Sequence, residues 1–347
     1  MMRFAFSGGD SSEATGFADA ARRIADLSFT VVAHHDAVSR HRAADLLSAG
    51  LTVSSLTAAL DRYAGEFDAL LVQGKSPAWP DDVCAAATAG KHILLSSPLL
   101  DSVPDAERIA AACARSGVRL MLGRTARFRP SLIAVRQALE TGKLGEPALL
   151  RIHAWDAQPM ASGGGIGNGD GGAPAGVGGP RRGWPRLMEQ LDLAMWIFGG
   201  APQSLYALGR QEVGWPPSEW PRHVQVHLGF GEGRMALISV ASEALPEGER
   251  YAMVSLIASA GAAYADDFDQ TQLVYRSGGA RAVRTAEGTA AFSNEFREFA
   301  AAIRQDRDPA PGGPAGIRAL QLMALTWQAL STGQPIQTKD LHNASPQ

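Results

Sequence analysis

Residues 3–33 read RFAFSGGDSSEATGFADAARRIADLSFTVVA: two short apolar runs flank a Gly8-Gly9 turn and an Ala-rich helical pattern. The runs RFAFS and FTVVA have the length and composition of buried strands. Similar runs follow between helical patterns, including FDALLV at 67–72 and HILL at 92–95. Strands that alternate with helices in this way predict βαβ units and a doubly wound parallel sheet.

The pattern changes after residue 122. A helical segment at 130–142 is followed by short runs that alternate apolar and polar residues, such as VQVHLGF at 224–230. Such alternation predicts strands with one packed and one solvated face, and consecutive strands with short turns favour a mostly antiparallel sheet. The expected fold class is therefore α/β, with an N-terminal Rossmann-like parallel sheet and a C-terminal α+β domain with a large, mostly antiparallel sheet.

The expected division of the chain has three parts. A Rossmann-like domain occupies residues 1–122, a C-terminal domain occupies 123–335, and a tail occupies 336–347. Within the second domain, residues 162–180 are rich in glycine and poor in large side chains. Such a segment is expected to be a flexible loop. It is either a tolerated surface insertion or a lid.

Composition excludes several classes of protein. The 347 residues include 32 Lys and Arg against 35 Asp and Glu, a net charge of −3, which argues against nucleic acid or an anionic membrane as the main partner. No apolar run reaches the ~18 residues of a membrane span. The opening MMRFAFSGG lacks the basic start and long apolar stretch of a signal peptide. We therefore expect a cytoplasmic protein without a metal site, in which Cys84 and Cys113 are buried thiols.

Four segments carry a more specific signal. They are AAATAGKHILLSSPL (85–99), GRTARFRPSLIAVRQALETGKLGEP (123–147), QLDLAMWIFG (190–199) and FSNEFREFAAAIRQDRDPAP (292–311). Together and in this order they resemble the Gfo/Idh/MocA family, the glucose–fructose oxidoreductase and inositol dehydrogenase group. The resemblance implies an oxidoreductase that uses NAD or NADP and acts on the CH–OH group of a small, carbohydrate-like ligand. It also implies a homo-oligomer formed through the C-terminal sheet.

The chain departs from this family at the positions that carry chemistry. Where the family has Glu-Lys-Pro, the chain reads Ser-Ser-Pro, with Ser97 at the lysine position. Where the family has Asp-x-x-x-His-x-x-Asp, the chain has Pro185, Glu189 and Asp192, so that Glu189 replaces the proton-accepting histidine. A general acid or base contributes a factor of ~10²–10⁴ in rate. The resemblance therefore implies catalysis by Glu189, Asp192 and Ser97, if catalysis is retained.

The cofactor motif departs in a similar way. Glycines let a backbone turn tightly and approach a pyrophosphate closely, and the family's Gly-x-Gly-x-x-Gly matches SGGDSS at 7–12, which keeps the middle glycine. His34 stands where an acid would hold the ribose diol, with Asp36 two residues on, and the loss of that acid leaves NADP open. The candidate cofactor-binding residues are Ser7, Gly8, Gly9, Ser11, Ser12, His34, Lys75 and Arg127.

Three functions remain open from these residues. The first is an oxidoreductase in which Glu189 and Ser97 replace the family's histidine and lysine. The second is a non-catalytic ligand-sensing or partner subunit of an active paralogue. The third is a lyase or isomerase that uses Glu189 as a base. Glu189 and Asp192 lie three residues apart and therefore on one helix face, where they act as paired carboxylates, or else Asp192 orients neighbouring backbone.

Overall fold

The computed structural model describes residues 1–9, 12–73, 79–96, 102–157, 184–210, 221, 223–245, 250–266, 271–276, 279–284, 290–338 and 341. These residues form two compact units. The first comprises residues 1–128 together with 290–317, and the remaining described residues form the second. The predicted glycine-rich loop at 162–180 lies outside the described residues.

The first unit is an alternation of strands and helices. Its elements are β1 (Met2–Ser7), α1 (Ser12–Arg22), β2 (Leu27–Ala33), α2 (Ala37–Leu47), β3 (Leu51–Val53), α3 (Leu56–Tyr63), β4 (Ala69–Val72), α4 (Trp79–Thr88), β5 (His92–Leu95), α5 (Val103–Arg115) and β6 (Leu120–Leu122). The elements that follow in chain order are α6 (Pro130–Glu140), β7 (Pro147–Ala157), α7 (Trp184–Phe198), β8 (Ser204–Arg210), β9 (His223–Gly229), β10 (Met235–Leu245), β11 (Arg250–Ala258), β12 (Gly261–Asp266), β13 (Thr271–Arg276), β14 (Gly279–Arg284), α8 (Ala290–Arg304), α9 (Gly313–Thr332) and β15 (Ile336–Gln337).

The first sheet has six strands in the order β3-β2-β1-β4-β5-β6, and all its pairings are parallel. Every residue of β4 (ALLV) is buried, as expected for a strand covered on both faces. The predicted doubly wound parallel sheet is confirmed. Its strand order reverses between β1 and β4, and in open parallel sheets ligands bind at this switch point, outside the carboxyl ends of the strands.

The second sheet has nine strands in the order β14-β13-β12-β11-β7-β10-β9-β8-β15. Neighbouring strands are antiparallel except for β7 and β10. On β7, Leu150, Ile152 and Ala154 are buried on the face that is packed, and α7 contacts both β7 and β10. The predicted large, mostly antiparallel sheet is therefore confirmed.

Helix α8 belongs to the first unit, although the predicted boundary at residue 122 assigned it to the C-terminal domain. The Phe296 ring lies 5.4 Å from Phe4, 6.0 Å from Phe17 and 6.1 Å from Phe29, between ring centroids, with nearly perpendicular planes. Edge-to-face pairs of this kind stabilise beyond their buried area. Local pattern shows that α8 is amphipathic but does not identify the sheet that it covers.

The segment 336–347, predicted as a tail, begins with the short strand β15. Ile336 pairs with Leu205 on β8, and Thr338, which is buried, donates its N–H to the carbonyl of Gln203 at 3.0 Å. Two residues of strand with one apolar side chain are too short for a period-2 pattern to identify.

The cysteines are unbonded thiols. Cys113 is buried as expected, and burial raises the pKa of its thiol to about 12. Cys84 is only half-buried because it lies at the edge of the buried face of α4, and burial also raises its pKa. No helix within the described ranges is long and apolar enough to cross a membrane.

Stability is expected to depend on pH through His92. Its Nδ1 accepts the N–H of Arg119 at 3.0 Å, and burial, assisted by the Arg119 charge, lowers its pKa. The unfolded chain, with a histidine pKa near 6.5, therefore binds the proton first. The contribution of neutral His92 to the free energy of unfolding is therefore fully present above about pH 6.5 and is lost as the pH falls below that value.

The variant His92→Asn keeps an acceptor for the Arg119 N–H but does not titrate. Urea unfolding between pH 7.5 and 5 is expected to show a shallower loss of stability for this variant than for the wild type. The same substitution at the exposed His41 is the control. Equal slopes for the wild type and His92→Asn would contradict the assignment.

Candidate functional site

The carboxyl ends of β1, β2 and β4 lie side by side in the first unit. The N–H of Gln73 donates to the carbonyl of Ser7 at 2.8 Å, and the N–H of Gly8 donates to the carbonyl of Ala33 at 3.2 Å. The backbone that follows β1 is therefore held between the ends of its two neighbours. This is the switch point of the sheet, where a ligand-binding crevice is expected.

The Gly8-Gly9 turn has no room for a side chain at Gly8 and little room for one at Gly9. A Cβ on Gly8 would lie 2.6 Å from Phe6 Cζ and 2.9 Å from the carbonyl oxygen of Gln73, and the latter is backbone that cannot move aside. A Cβ on Gly9 would lie 3.3 Å from His34 Nε2 and 3.3 Å from Ser39 Cβ. A turn without Cβ atoms ahead of a helix suits close approach by the phosphates of a dinucleotide.

The first helix after the turn packs closely through a second glycine. A Cβ on Gly16 of α1 would lie 2.4 Å from Phe292 Cε2 of α8. Of the predicted loop residues, Ser12 is the first residue of α1, and Ser11 lies outside the described residues. The sequence analysis missed Gly16 because Phe292, which packs against it, is more than 270 residues away in sequence. The only local signal is a glycine within a helical pattern.

His34 follows β2 and lies beside the glycine turn, as the Gly9 geometry shows. Its Nδ1 is 3.2 Å from the N of Asp36, whose N–H donates to it. The Oδ2 of Asp36 accepts the N–H of Ser39 at 2.7 Å and caps α2. These hydrogen bonds from Ser39 hold the pKa of Asp36 below its usual value. Asp36 therefore serves the helix end, and the structure brings Gly8, Gly9 and His34 together.

Three of the predicted site residues follow β4, β5 and β6. Lys75 after β4 and Ser97 after β5, predicted to contact phosphate and substrate, lie outside the described residues. Arg127 lies in a single helical turn, Thr125–Phe128, where its N–H donates to the carbonyl of Arg124 at 2.8 Å. Shortly before that turn, the N–H of Gly123 donates to the carbonyl of Leu95 at 2.6 Å.

Glu295 is a residue that the sequence analysis missed. It lies on α8 and is only 4% exposed, and its Oε2 accepts the Thr125 hydroxyl at 3.2 Å. Its Oε1 lies 2.8 Å from where a Cβ of Gly123 would be. Glu295 therefore fixes the segment that carries Arg127 at the carboxyl end of β6. An acidic residue in an amphipathic helix gives no sign of such burial.

Glu189 and Asp192 lie on α7 in the second unit, three residues apart as predicted. Asp192 is 1% exposed, and Glu189 is partly buried. The Oε2 of Glu189 lies 3.6 Å from Nη1 of Arg186, one helical turn earlier. The two residues form an ion pair between successive turns of one helix face. Within the described ranges, no group of His, Cys, Asp and Glu could hold a metal ion.

Comparison with known proteins identifies distant relatives of the chain. No protein-family model matches the chain. It is 23% identical over 292 residues to an uncharacterized oxidoreductase, YrbE, of Bacillus subtilis, covering 78% of each chain. It is 25% identical over 275 residues to inositol 2-dehydrogenase of Rhizobium meliloti, covering 75% of this chain and 77% of that protein. The chain is a relative of the Gfo/Idh/MocA oxidoreductases. The resemblance inferred from the four sequence segments is therefore confirmed.

Solved structures show the same fold. An oxidoreductase from Agrobacterium radiobacter, in complex with NAD+, L-tartaric acid and magnesium, superposes with a TM-score of 0.81 at 15% identity, covering 98% of this chain and 99% of that one. At this level of identity the likeness establishes architecture, and the chemistry has to be argued from the residues of this chain.

Proposed function

We propose that the protein is a nicotinamide-dependent oxidoreductase that interconverts a hydroxyl and a carbonyl group on a sugar- or polyol-like substrate. The observation that carries this proposal is the Gly8-Gly9 turn, which approaches the carbonyl of Gln73 too closely for any side chain. It lies at the switch point of a six-stranded parallel sheet. The relatedness to inositol 2-dehydrogenase supports a polyol-like substrate, and the likeness to an NAD+ complex supports the cofactor.

The residues present fit a dinucleotide at the end of β1. The glycine turn and the start of α1 would hold the pyrophosphate through backbone N–H groups, and the hydroxyls of Ser7, Ser11 and Ser12 would add further donors. His34 would border the adenosine ribose, while Lys75 and Arg127 would supply positive charge. When bound, the nicotinamide accepts a hydride from the carbon that carries the hydroxyl group.

Removal of that hydride requires a group that takes the hydroxyl proton. We assign this role to Glu189, which stands at the position of the family's histidine and whose Oε2 lies 3.6 Å from Nη1 of Arg186. Asp192 would position the helix segment around it, and Ser97 would donate a hydrogen bond in place of the family's lysine. A serine hydroxyl carries no charge, so this arrangement stabilises a developing alkoxide less than a lysine does.

A non-catalytic role, as a ligand sensor or partner subunit, is the second candidate. The feature that favours it is the replacement of both of the family's proton-transfer residues, with Ser97 at the lysine position and Glu189 at the histidine position. Burial of Asp192 is also compatible with a purely structural helix residue. This role requires ligand binding without turnover.

Measurement of nucleotide binding tests the proposed cofactor site. Titration of the full-length protein with NADH and NADPH, followed by nucleotide fluorescence, is expected to saturate. Gly9→Ala is expected to weaken binding by about tenfold or more, because a methyl group there crowds the His34 side and separates backbone from phosphate. Gly50→Ala is the matched control, since nothing lies within 4 Å of a Cβ at Gly50. Absence of saturable binding by the wild type at millimolar nucleotide would exclude the proposal.

Turnover separates the two candidate functions. With a panel of inositols, sugars and sugar acids, Glu189→Gln is expected to lower kcat by a factor of about 10²–10⁴ while leaving cofactor affinity unchanged, because a single general base is removed. Glu140→Gln, an exposed carboxylate on α6 that also pairs with an arginine, is the control. Turnover that is insensitive to Glu189→Gln would contradict its role. Binding without any turnover would favour the non-catalytic role.

We also propose that the chain forms a homo-oligomer through one face of the second sheet. Direct pairing places Met235, Leu149 and Ile257 in one row across β10, β7 and β11. Paired residues project to the same side, and Met235 and Ile257 are 53% and 42% exposed. Leu208 and Tyr264 share this face by register and are also exposed. Exposed apolar side chains that share one sheet face are typical of an interface, and a second copy of the chain fits this face as its own complement.

The double variant Met235→Glu, Ile257→Glu is expected to reduce the molar mass in light scattering to that of one chain. Each introduced charge would be desolvated in a self-complementary interface. Val38→Glu, at an exposed apolar residue of α2, is the control. A monomeric wild type, or an oligomer unaffected by the double variant, would rule out this interface.

A further inference from the structure

Helix α8 carries a buried carboxylate among apolar side chains. Phe296 and Phe299 of this helix pack against Phe4 of β1, at 5.4 and 6.1 Å between ring centroids. Glu295 lies next to Phe296 in sequence and is only 4% exposed. Burial of a carboxylate is costly unless polar groups compensate it, and a purely space-filling position would favour an apolar residue. The contacts of the Glu295 carboxylate therefore indicate its role.

The first of these contacts is with the end of β6. Oε1 of Glu295 lies 2.8 Å from where a Cβ of Gly123 would be. The same Cβ position lies 3.0 Å from the carbonyl oxygen of Leu95 and 3.0 Å from Cα of Ser96, at the end of β5. The Gly123 N–H also donates to the Leu95 carbonyl at 2.6 Å. Because Gly123 is packed among these groups, the position of the carboxylate and the path of both strand ends depend on each other.

The second contact is with the short helical turn that follows β6, Thr125–Phe128. Oε2 of Glu295 accepts the Thr125 hydroxyl at 3.2 Å, at the beginning of this turn. Nδ2 of Asn294 donates to the carbonyl of Phe128 at 3.1 Å, at its end. A single turn of helix has few hydrogen bonds of its own to hold it in place. Two adjacent residues of α8 therefore anchor both ends of the turn that carries Arg127.

Both contacts lie at the carboxyl ends of one half of the sheet. In doubly wound folds each half of the sheet binds one mononucleotide of a dinucleotide. With the adenosine end beside β1 and β2, the nicotinamide end belongs to β4, β5 and β6. We propose that Glu295 is a positioning residue for the nicotinamide half of the crevice, acting through Gly123 and Thr125 rather than by touching the cofactor. This inference rests on the proposed function, because it assumes that the glycine turn holds a dinucleotide.

The experiment compares a whole dinucleotide with the same molecule lacking its nicotinamide ring. Titration calorimetry of the full-length protein gives Kd values for NADH and ADP-ribose, or for NADPH and 2′-phospho-ADP-ribose, whichever pair binds more tightly. Thr125→Val removes the hydroxyl that Glu295 accepts, and Glu295→Gln removes the charge. Each is expected to raise the Kd of the dinucleotide about three- to tenfold, the effect of one hydrogen bond, and to leave the Kd of the ring-free nucleotide within about twofold.

Thr125→Ser, which keeps a hydroxyl, is expected to restore the wild-type ratio of the two Kd values. Glu298→Gln is the matched control, because Glu298 lies three residues further along α8 and pairs instead with Arg307 at 2.7 Å. A general loosening of the fold would weaken both nucleotides alike. An equal change for the two nucleotides, or no change in Thr125→Val, therefore excludes the positioning role while the oxidoreductase proposal stands, even if Glu295→Gln does not fold. If neither nucleotide binds the wild type saturably, both are excluded.

Discussion

The approach of the Gly8 backbone to the carbonyl of Gln73 is the constraint on which the rest of the candidate site depends. A Cβ at Gly8 would come within 2.9 Å of that oxygen, so the end of β1 can lie against the end of β4 only with glycine there. This contact sets the path of the chain into α1 and places Gly9 next to His34. A turn that held a side chain would move away from β4 and would leave the switch point of the sheet covered.

The strands of the first sheet were largely predictable because strands buried on both faces are continuous apolar runs. The runs FTVVA, FDALLV and HILL can be identified as strands from their own sequence, without knowledge of the strands that pair with them. Two elements of the first unit could not be predicted in this way, each for a physical reason. Strand β3 has only three residues, LTV, of which one is fully buried. Helix α8 is separated from β1 by most of the chain. Its phenylalanines complete an aromatic cluster that no local pattern could assign to the first sheet rather than the second.

The part of the candidate site that could be predicted is the part marked by glycines at the end of a predicted strand. Gly8, Gly9 and His34 lie close together at the ends of β1 and β2, and the Asp36 carboxylate caps α2 by accepting the Ser39 N–H. Glu295 could not be found, since its burial follows from contact with Thr125, 170 residues earlier. From the sequence alone, Gly123 resembles an ordinary turn glycine, because the Glu295 carboxylate that crowds it comes from a distant part of the chain.

In the proposed site, Glu189 stands where the family has a histidine, and Arg186 lies beside it on α7. A histidine at that position needs an orienting acceptor, whereas a carboxylate needs a cation or a donor, and Arg186 one turn earlier provides it. Proton transfer depends on the Glu189 carboxylate, whereas nucleotide binding depends on the backbone shape of the glycine turn. The protein can therefore lose catalysis and keep nucleotide binding, or the reverse.

Amide hydrogen exchange in the presence and absence of saturating NADPH tests the central claim most directly. If a dinucleotide lies on the glycine turn, exchange is expected to slow in peptides that cover residues 7–16 and 34–41, while peptides from β12 to β14 exchange as before. Unchanged exchange at both segments, with NADPH shown to be bound by an independent method, would contradict the account.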